Sequence, residues 1–203
     1  MKYIISVSGK LGVGKNWYIS NVIIPVLEQK SKKRYLEFAF ADQIKINTMT
    51  KYNISYNDVY EQKTKETRLL LQKEGTEVGR DTDINIWVNY MSNWMNVHNK
   101  RNIEFFIISD CRFMNEYNFI KENNNIMIKI NAPMRNYKRL LQESNKDLNI
   151  LEKIRNHRSE CDLDNLTNKQ FDLVIDNNES TNLITMQDQF SELYINKLSQ
   201  VIE

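Results

Sequence analysis

The sequence predicts a three-layer α/β protein, with a five-stranded, mainly parallel sheet between helices. Three observations carry that expectation. Short β-rich runs alternate with longer helical patterns, as in successive βαβ units. Several runs are apolar on consecutive residues, Phe105-Phe106-Ile107-Ile108 among them, as in strands covered on both faces. The first run also leads straight into a glycine-rich loop and then a helical pattern.

In chain order, strands are expected over 3–8, 35–40, 103–109, 126–130 and 171–175. Helical patterns occupy 15–29, 43–51, 64–78, 83–97, 115–123, 135–145 and 182–201. Pro25 is expected to kink or shorten the first helix, because its ring displaces a carbonyl and removes a donor. The 203 residues suit a single domain with a real core. A mostly helical insertion is expected over about 47–99.

Composition narrows the class. With 41% apolar and 27% charged residues the chain is globular rather than disordered or fibrous. A net charge of +2 argues against duplex nucleic acid as the main partner. The short basic run Lys30, Lys32, Lys33, Arg34 reads as a solvated helix end. No stretch reaches the ~18 apolar residues of a membrane span. Met1 leads directly into a strand without a leader pattern. Cys111 and Cys161 alone supply neither a disulfide framework nor a zinc set. A cytoplasmic location is expected.

Glycine is scarce. Average usage of ~7% would give about fourteen, and the chain has 5, in two clusters: Gly9, Gly12 and Gly14, then Gly75 and Gly79. The first cluster follows strand Ile4–Ser8 and fits GxxxxGK over Gly9–Lys15. Phosphates need a ring of backbone N–H donors, which such a loop and the next helix N-terminus provide. Lys15 would reach the β- and γ-phosphates of a nucleotide. Position 16 is Asn, where Ser or Thr ordinarily holds Mg²⁺, so Asn16 would offer an amide oxygen, a weaker ligand.

Asp110 ends an apolar strand, as a carboxylate that orients Mg²⁺ or its water does. Asp42 stands in the same relation to the second strand, with Lys45 one helical turn on, and could be a helix cap, a substrate contact or both. Phosphoryl transfer needs several cations aimed at one point. The candidates are Arg68, Arg80, Arg112, Arg135 and Arg139. Arg135 and Arg139 share a helix face and would form a small lid. In the second cluster, Arg68, Gln72 and Gly75 recur at helical spacing. Glycine there costs ~1 kcal/mol relative to Ala, as if a flat base or sugar approached the backbone.

Together these segments resemble the deoxynucleoside monophosphate kinases of bacteriophages and large DNA viruses, a branch of the P-loop kinases. The most specific matches are Leu71-Gln72-Lys73-Glu74-Gly75-Thr76-Glu77, Asp110-Cys111-Arg112-Phe113-Met114-Asn115-Glu116 and His157-Arg158-Ser159-Glu160. The resemblance implies a P-loop kinase fold with a helical substrate-binding insertion and an arginine-bearing lid over about 133–160. It implies ATP-dependent conversion of a dNMP to a dNDP with Mg²⁺, a nucleotide as the only partner besides a possible homodimer, and host cytoplasm if the chain is viral. It assigns Gly9, Gly12, Val13, Gly14, Lys15, Asn16 and Trp17 to the ATP phosphates, and Asn177 to the adenine. It assigns Leu11, Asp42, Lys45, Arg68, Gln72, Gly75, Thr76, Arg80, Trp87, His157 and Glu160 to the acceptor. Lys15, Arg112, Arg135 and Arg139 would carry catalysis, with Asn16 and Asp110 at the metal. The family's GKD-Thr reads GKN-Trp here. Rival readings are a P-loop kinase for phosphomevalonate or dephospho-coenzyme A, and a nucleotide-binding module without catalysis.

Overall fold

The computed structural model describes residues 3–30, 34–62, 64–101, 103–178 and 182–198. Strands β1 (Tyr3–Ser8), β2 (Arg34–Phe38), β3 (Ile103–Cys111), β4 (Asn125–Asn131) and β5 (Leu173–Asp176) form one sheet in the order β2-β3-β1-β4-β5. β1 pairs in parallel with β3 and with β4, and β4 pairs in parallel with β5. The strand order turns back across β1. The loop after β1 therefore opens at the switch point, where open α/β sheets hold ligands.

Helices α1 (Lys15–Tyr18) and α2 (Ile24–Lys30) are joined by a π turn, Ile19–Ile23. Pro25 does not end this helix. Its disruption is absorbed in the wider turn just before it, where the Ile24 N–H donates to the Ile19 carbonyl. The Asn21 carbonyl, four residues before Pro25, accepts instead from Gln187 Nε2 at 2.8 Å. The remaining helices are α3 (Phe40–Tyr52), α4 (Lys65–Lys73), α5 (Ile86–Asn99), α6 (Met114–Lys121), α7 (Pro133–Glu143), α8 (Leu148–Arg155), α9 (Arg158–Cys161) and α10 (Leu183–Leu198).

The described residues of Met1–Glu37 and Ile103–Glu203 form one compact unit, and those of Phe38–Asn102 form another. In the first, Ile5, Val7, Phe105, Ile107, Ile128 and Ile130 face Tyr18, Val22 and Ile23 on the first helix and Met186 and Phe190 on α10. The other face buries Ile4, Phe106, Ile108 and Met127, and α6 packs on β4 with Ile120 fully buried. Burial on both faces is the reason these strands read as continuous apolar runs.

The second unit is helical and contains the expected 47–99 segment. The helix expected over 64–78 is α-helical only to Lys73 and continues as a π turn, Glu74–Arg80. Of the basic run, Lys30 ends α2 and Arg34 opens β2, while Lys32 and Lys33 lie outside the described residues. So do residues 199–201 of the expected last helix. No helix among the described residues is long and apolar enough to cross a membrane.

Candidate phosphate-transfer site

The loop from Gly9 to Gly14 has the backbone that its glycines suggest. Gly12 and Gly14 hold φ of 75° and 95°, the left-handed region that other residues rarely adopt. A Cβ on Gly14 would lie 2.6 Å from Asn177 Nδ2, and one on Gly12 would lie 2.6 Å from Arg139 Cβ. Gly14 is also the residue from which the first helix starts. Val13, between them, is a buried anchor of the core. Asn16 and Trp17 are exposed on the first turn.

Lys15 is buried, and its Nζ donates to the Gly9 and Lys10 carbonyls at 2.7 and 3.0 Å. Burial first, and then the Arg112 guanidinium, depress its pKa to about 7, while Glu160 and Asp110 pull it upward. Burial and three charged groups thus act on one ammonium. An anion added here would restore the charge on Lys15, which is what a phosphate subsite needs.

A bulge gives Asp110 its place. The β1–β3 register passes from Ser6 opposite Ile108 to Ser8 opposite Cys111, so β3 carries one extra residue around Ser109 and Asp110. The strand therefore runs past the expected end at 109. Arg112 follows, its backbone N–H held by Glu116 Oε2 at 2.8 Å, and the same oxygen takes the Phe113 N–H at 3.1 Å. Glu116 is buried and belongs to the start of α6. Its place in the matched string is thereby explained: it fixes the turn that presents Arg112.

Glu160, expected at the acceptor, is part of the loop's framework here. Its Oε2 accepts the Leu11 N–H at 2.7 Å, and its Oε1 pairs with the Arg112 guanidinium. The Leu11 carbonyl, in turn, accepts from Asn136 Nδ2 at 2.7 Å. Leu11, also expected at the acceptor, is therefore gripped at both ends of its backbone. Asn136 was not anticipated. It lies one residue past Arg135 on α7, in the lid expected over about 133–160. Arg139 lies over Gly12 and pairs with Glu143 at 2.5 Å. Arg135 Nη1 reaches the Asn177 carbonyl at 3.5 Å. Asn177, expected at the adenine, is buried and donates to the Val13 carbonyl at 2.8 Å. His157 caps α9, its Nδ1 accepting the Ser159 N–H at 3.3 Å.

In the helical unit, Asp42 Oδ2 accepts the Ala39 N–H at 2.9 Å, and its Oδ1 accepts from Lys45 Nζ at 2.9 Å and the Tyr60 hydroxyl at 3.2 Å. Lys45 Nζ also lies 4.2 Å from the Tyr60 ring centre. Asp42 is thus both a helix-start partner and one member of a polar cluster. Arg68 is half-buried, Gln72 exposed and Thr76 half-buried.

Gly75 and Gly79 depart from expectation. Gly75 is buried, unlike Gln72, so the two do not share an open face. The flat group that approaches this turn is the chain's own indole. A Cβ on Gly79 would come within 2.3 Å of the Trp87 ring. Trp87 is buried and donates to the Gly75 carbonyl at 2.8 Å, and Arg80 Nη1 donates to the same oxygen at 3.0 Å. Arg80 and Trp87 therefore both hold the Gly75 carbonyl and brace this turn. Sequence reasoning also missed Glu74, a buried carboxylate held by Lys51 Nζ and the Tyr52 hydroxyl, both at 2.7 Å.

No group of three or more acidic, His or Cys side chains among the described residues could hold a metal ion. Asp110 and the Asn16 amide would suit an Mg²⁺ ion that takes most of its ligands from phosphates and water, as that ion commonly does. A resident cation enclosed by protein does not fit.

No protein-family model matches the sequence, and no curated protein matches it. Solved structures do. The chain resembles shikimate kinase from Acinetobacter baumannii in complex with shikimate at a TM-score of 0.50 and 14% identity, over 100% of this chain and 97% of that one. It resembles TT1252 from Thermus thermophilus at a TM-score of 0.50 and 12% identity, over 98% of each chain. The likeness is one of fold: α/β, with a five-stranded sheet and flanking helices.

Proposed function

We propose that this protein transfers the γ-phosphoryl group of ATP to the 5′-phosphate of a deoxynucleoside monophosphate. One observation carries the reading: a buried lysine of lowered pKa at the end of a left-handed glycine loop, on the switch point of a P-loop kinase fold. A group in that condition gains most from an incoming anion.

In this mechanism the loop N–H groups and Lys15 bind the donor phosphates, with Arg135 and Arg139 over them. An acceptor phosphate oxygen attacks the γ-phosphorus in line, the bond to the β–γ bridging oxygen breaks, and ADP leaves. The acceptor is already an anion, so no strong general base is needed. Lys15 and Arg112 meet the charge that spreads over the transferring oxygens. Mg²⁺, when bound with the nucleotide at Asp110 and Asn16, supplies further charge neutralisation. Asp42, Lys45, Arg68, Gln72 and Thr76 bind the acceptor. Arg80 and Trp87 shape their support.

The test is ADP release from ATP over a panel of dNMPs, NMPs, phosphomevalonate, dephospho-coenzyme A and shikimate, the last because of the fold neighbour. Turnover of at least one dNMP with formation of its dNDP is expected. Turnover confined to another acceptor would replace the substrate class. ATP binding with no turnover on any of them would leave a nucleotide-binding module.

A further inference from the structure

Under the phosphate loop lies a cavity of about 680 Å³, within the range of ~300–1,000 Å³ usual for small-molecule sites. All of it belongs to the sheet-bearing unit. Gly9, Lys10 and Val13 border it, whereas Gly14, Lys15 and Asn16 do not. It therefore adjoins the phosphate loop at Gly9 and Val13 and shares Arg112 with the proposed reaction, but extends away from Lys15 toward α7 and α8. Part of its lining is apolar: Leu140 of α7, Leu151 of α8, Leu163, and Phe171 just before β5.

The charges on its walls do not balance. There are four cations, Lys10, Arg112, Lys129 and Arg155, against three carboxylates, Glu160, Asp164 and Asp176. Lys10 pairs with Asp164 at 2.8 Å, and Arg112 with Glu160. Asp176 Oδ1 accepts from the Asn178 backbone and side-chain amides at 3.0 and 2.8 Å. Lys129 and Arg155 make no ion pair among the described residues. Lys129 Nζ rests instead 5.2 Å from the centre of the Phe171 ring. One positive charge in excess, shared between two cations outside these ion pairs, beside aliphatic and aromatic side chains would suit one kind of ligand: an anionic head on an apolar body.

We infer that this cavity is a binding site for a small organic anion with a flat apolar body, the anion meeting Lys129 and Arg155 and the body lying against Phe171, Leu140 and Leu151. It goes beyond the proposed phosphoryl transfer and does not depend on it. The residues argued to hold the ligand come from β4, α7, α8 and the segment before β5, and none of Lys129, Arg155, Phe171, Leu140 and Leu151 is assigned to donor or acceptor.

The experiment titrates the whole protein with 1-naphthoate, followed by its fluorescence, and with 1-naphthalenemethanol as the neutral counterpart. Saturable one-to-one binding of naphthoate is expected, at least tenfold tighter than that of the alcohol. Arg155→Gln and Lys129→Gln should each weaken naphthoate at least fivefold and leave the alcohol unchanged. Arg155 is exposed, so its substitution does not threaten the fold. ATP should bind in the presence of saturating naphthoate without expelling it. Equal affinity for the two probes, or naphthoate affinity untouched by both substitutions, would overturn the assignment. So would competitive displacement by ATP, which would make the cavity part of the nucleotide site. None of these outcomes reads kinase activity, so loss of this inference and loss of the proposed reaction are distinguishable.

Discussion

The two glycine clusters sit in opposite kinds of backbone. At the first, Gly12 and Gly14 adopt left-handed angles just before Lys15 and the start of the first helix. At the second, Gly75 and Gly79 lie in a helical π turn, and what matters is the space over them, taken by Ile44 and the Trp87 ring. Scarcity marks both places equally. It does not say whether glycine is kept for its conformation or for its small size. The first use builds a binding surface; the second builds a packed support.

The largest expected effect comes from removing the charge that the first cluster surrounds. Lys15→Met should lower kcat for dNMP phosphorylation about 1,000-fold, the scale of losing a principal charge-stabilising donor. Because Lys15 is a buried cation, the variant should unfold at a temperature no lower than the parent's. A parent-like kcat in steady-state kinetics would detach the loop from the reaction.

Gly79→Ala probes the other region with the opposite signature. Its new Cβ would meet the Trp87 ring at 2.3 Å, in a buried turn, and overpacking of this kind costs ~1–3 kcal/mol. Urea denaturation should show that loss, while the Kd for ATP stays within about twofold. If ATP binding failed and stability held, the two regions would have exchanged roles.

The contrast also shows which parts of the molecule can be read from its sequence. The strands were legible because burial on both faces leaves a local trace, and the loop because its glycines are neighbours in the chain. The grip on Leu11 left no such trace: Glu160 and Asn136 reach it across 149 and 125 residues. Helix α8 was missed in a short stretch whose apolar residues are Leu148, Ile150, Leu151 and Ile154. Its one clear start signal is Asp147, whose carboxylate accepts the Asn149 and Ile150 N–H groups at 2.8 and 3.1 Å. At Gly75 and Gly79 the signal was real but did not name its cause: within the chain, Ile44 lies over Gly75 and the Trp87 ring over Gly79.

Glu160 tests how the loop's framework bears on binding. Its carboxylate occupies the Leu11 N–H and Arg112 together, an internal anion in the place where an external one would be attracted. Glu160→Gln should tighten sulfate about fivefold, roughly 1 kcal/mol, by freeing Arg112 while an amide oxygen still accepts from Leu11. Weaker sulfate binding would make Glu160 only a brace.

Lys15 adds a pH dependence. With its pKa near 7 in the free protein, it is mostly neutral at pH 8 and mostly charged at pH 6. Anion binding raises that pKa, so binding should take up roughly 0.9 proton at pH 8 and close to 0.1 at pH 6. Calorimetry with sulfate, which does not titrate in this range, in two buffers of different ionisation enthalpy reads the uptake directly. Uptake that did not fall with pH would assign the proton to another group.

Gly75→Ala has the smallest expected effect and separates the two uses of glycine most finely. Ala gains ~1 kcal/mol over Gly in a helix. Against that gain, the added Cβ would stand 3.1 Å from Ile44 Cδ1, the far end of a side chain that can move by a few tenths of an ångström. The two nearly cancel, so stability should stay within about 0.5 kcal/mol of the parent. Adding Ile44→Val removes the methyl group that the new Cβ meets, so the double variant should be more stable than Ile44→Val alone by ~1 kcal/mol. If Gly75 instead admits the acceptor's base or sugar, the single variant would raise KM for the dNMP at least tenfold with stability unchanged. Packing predicts a stability coupling to Ile44 and a constant KM; ligand approach predicts the reverse.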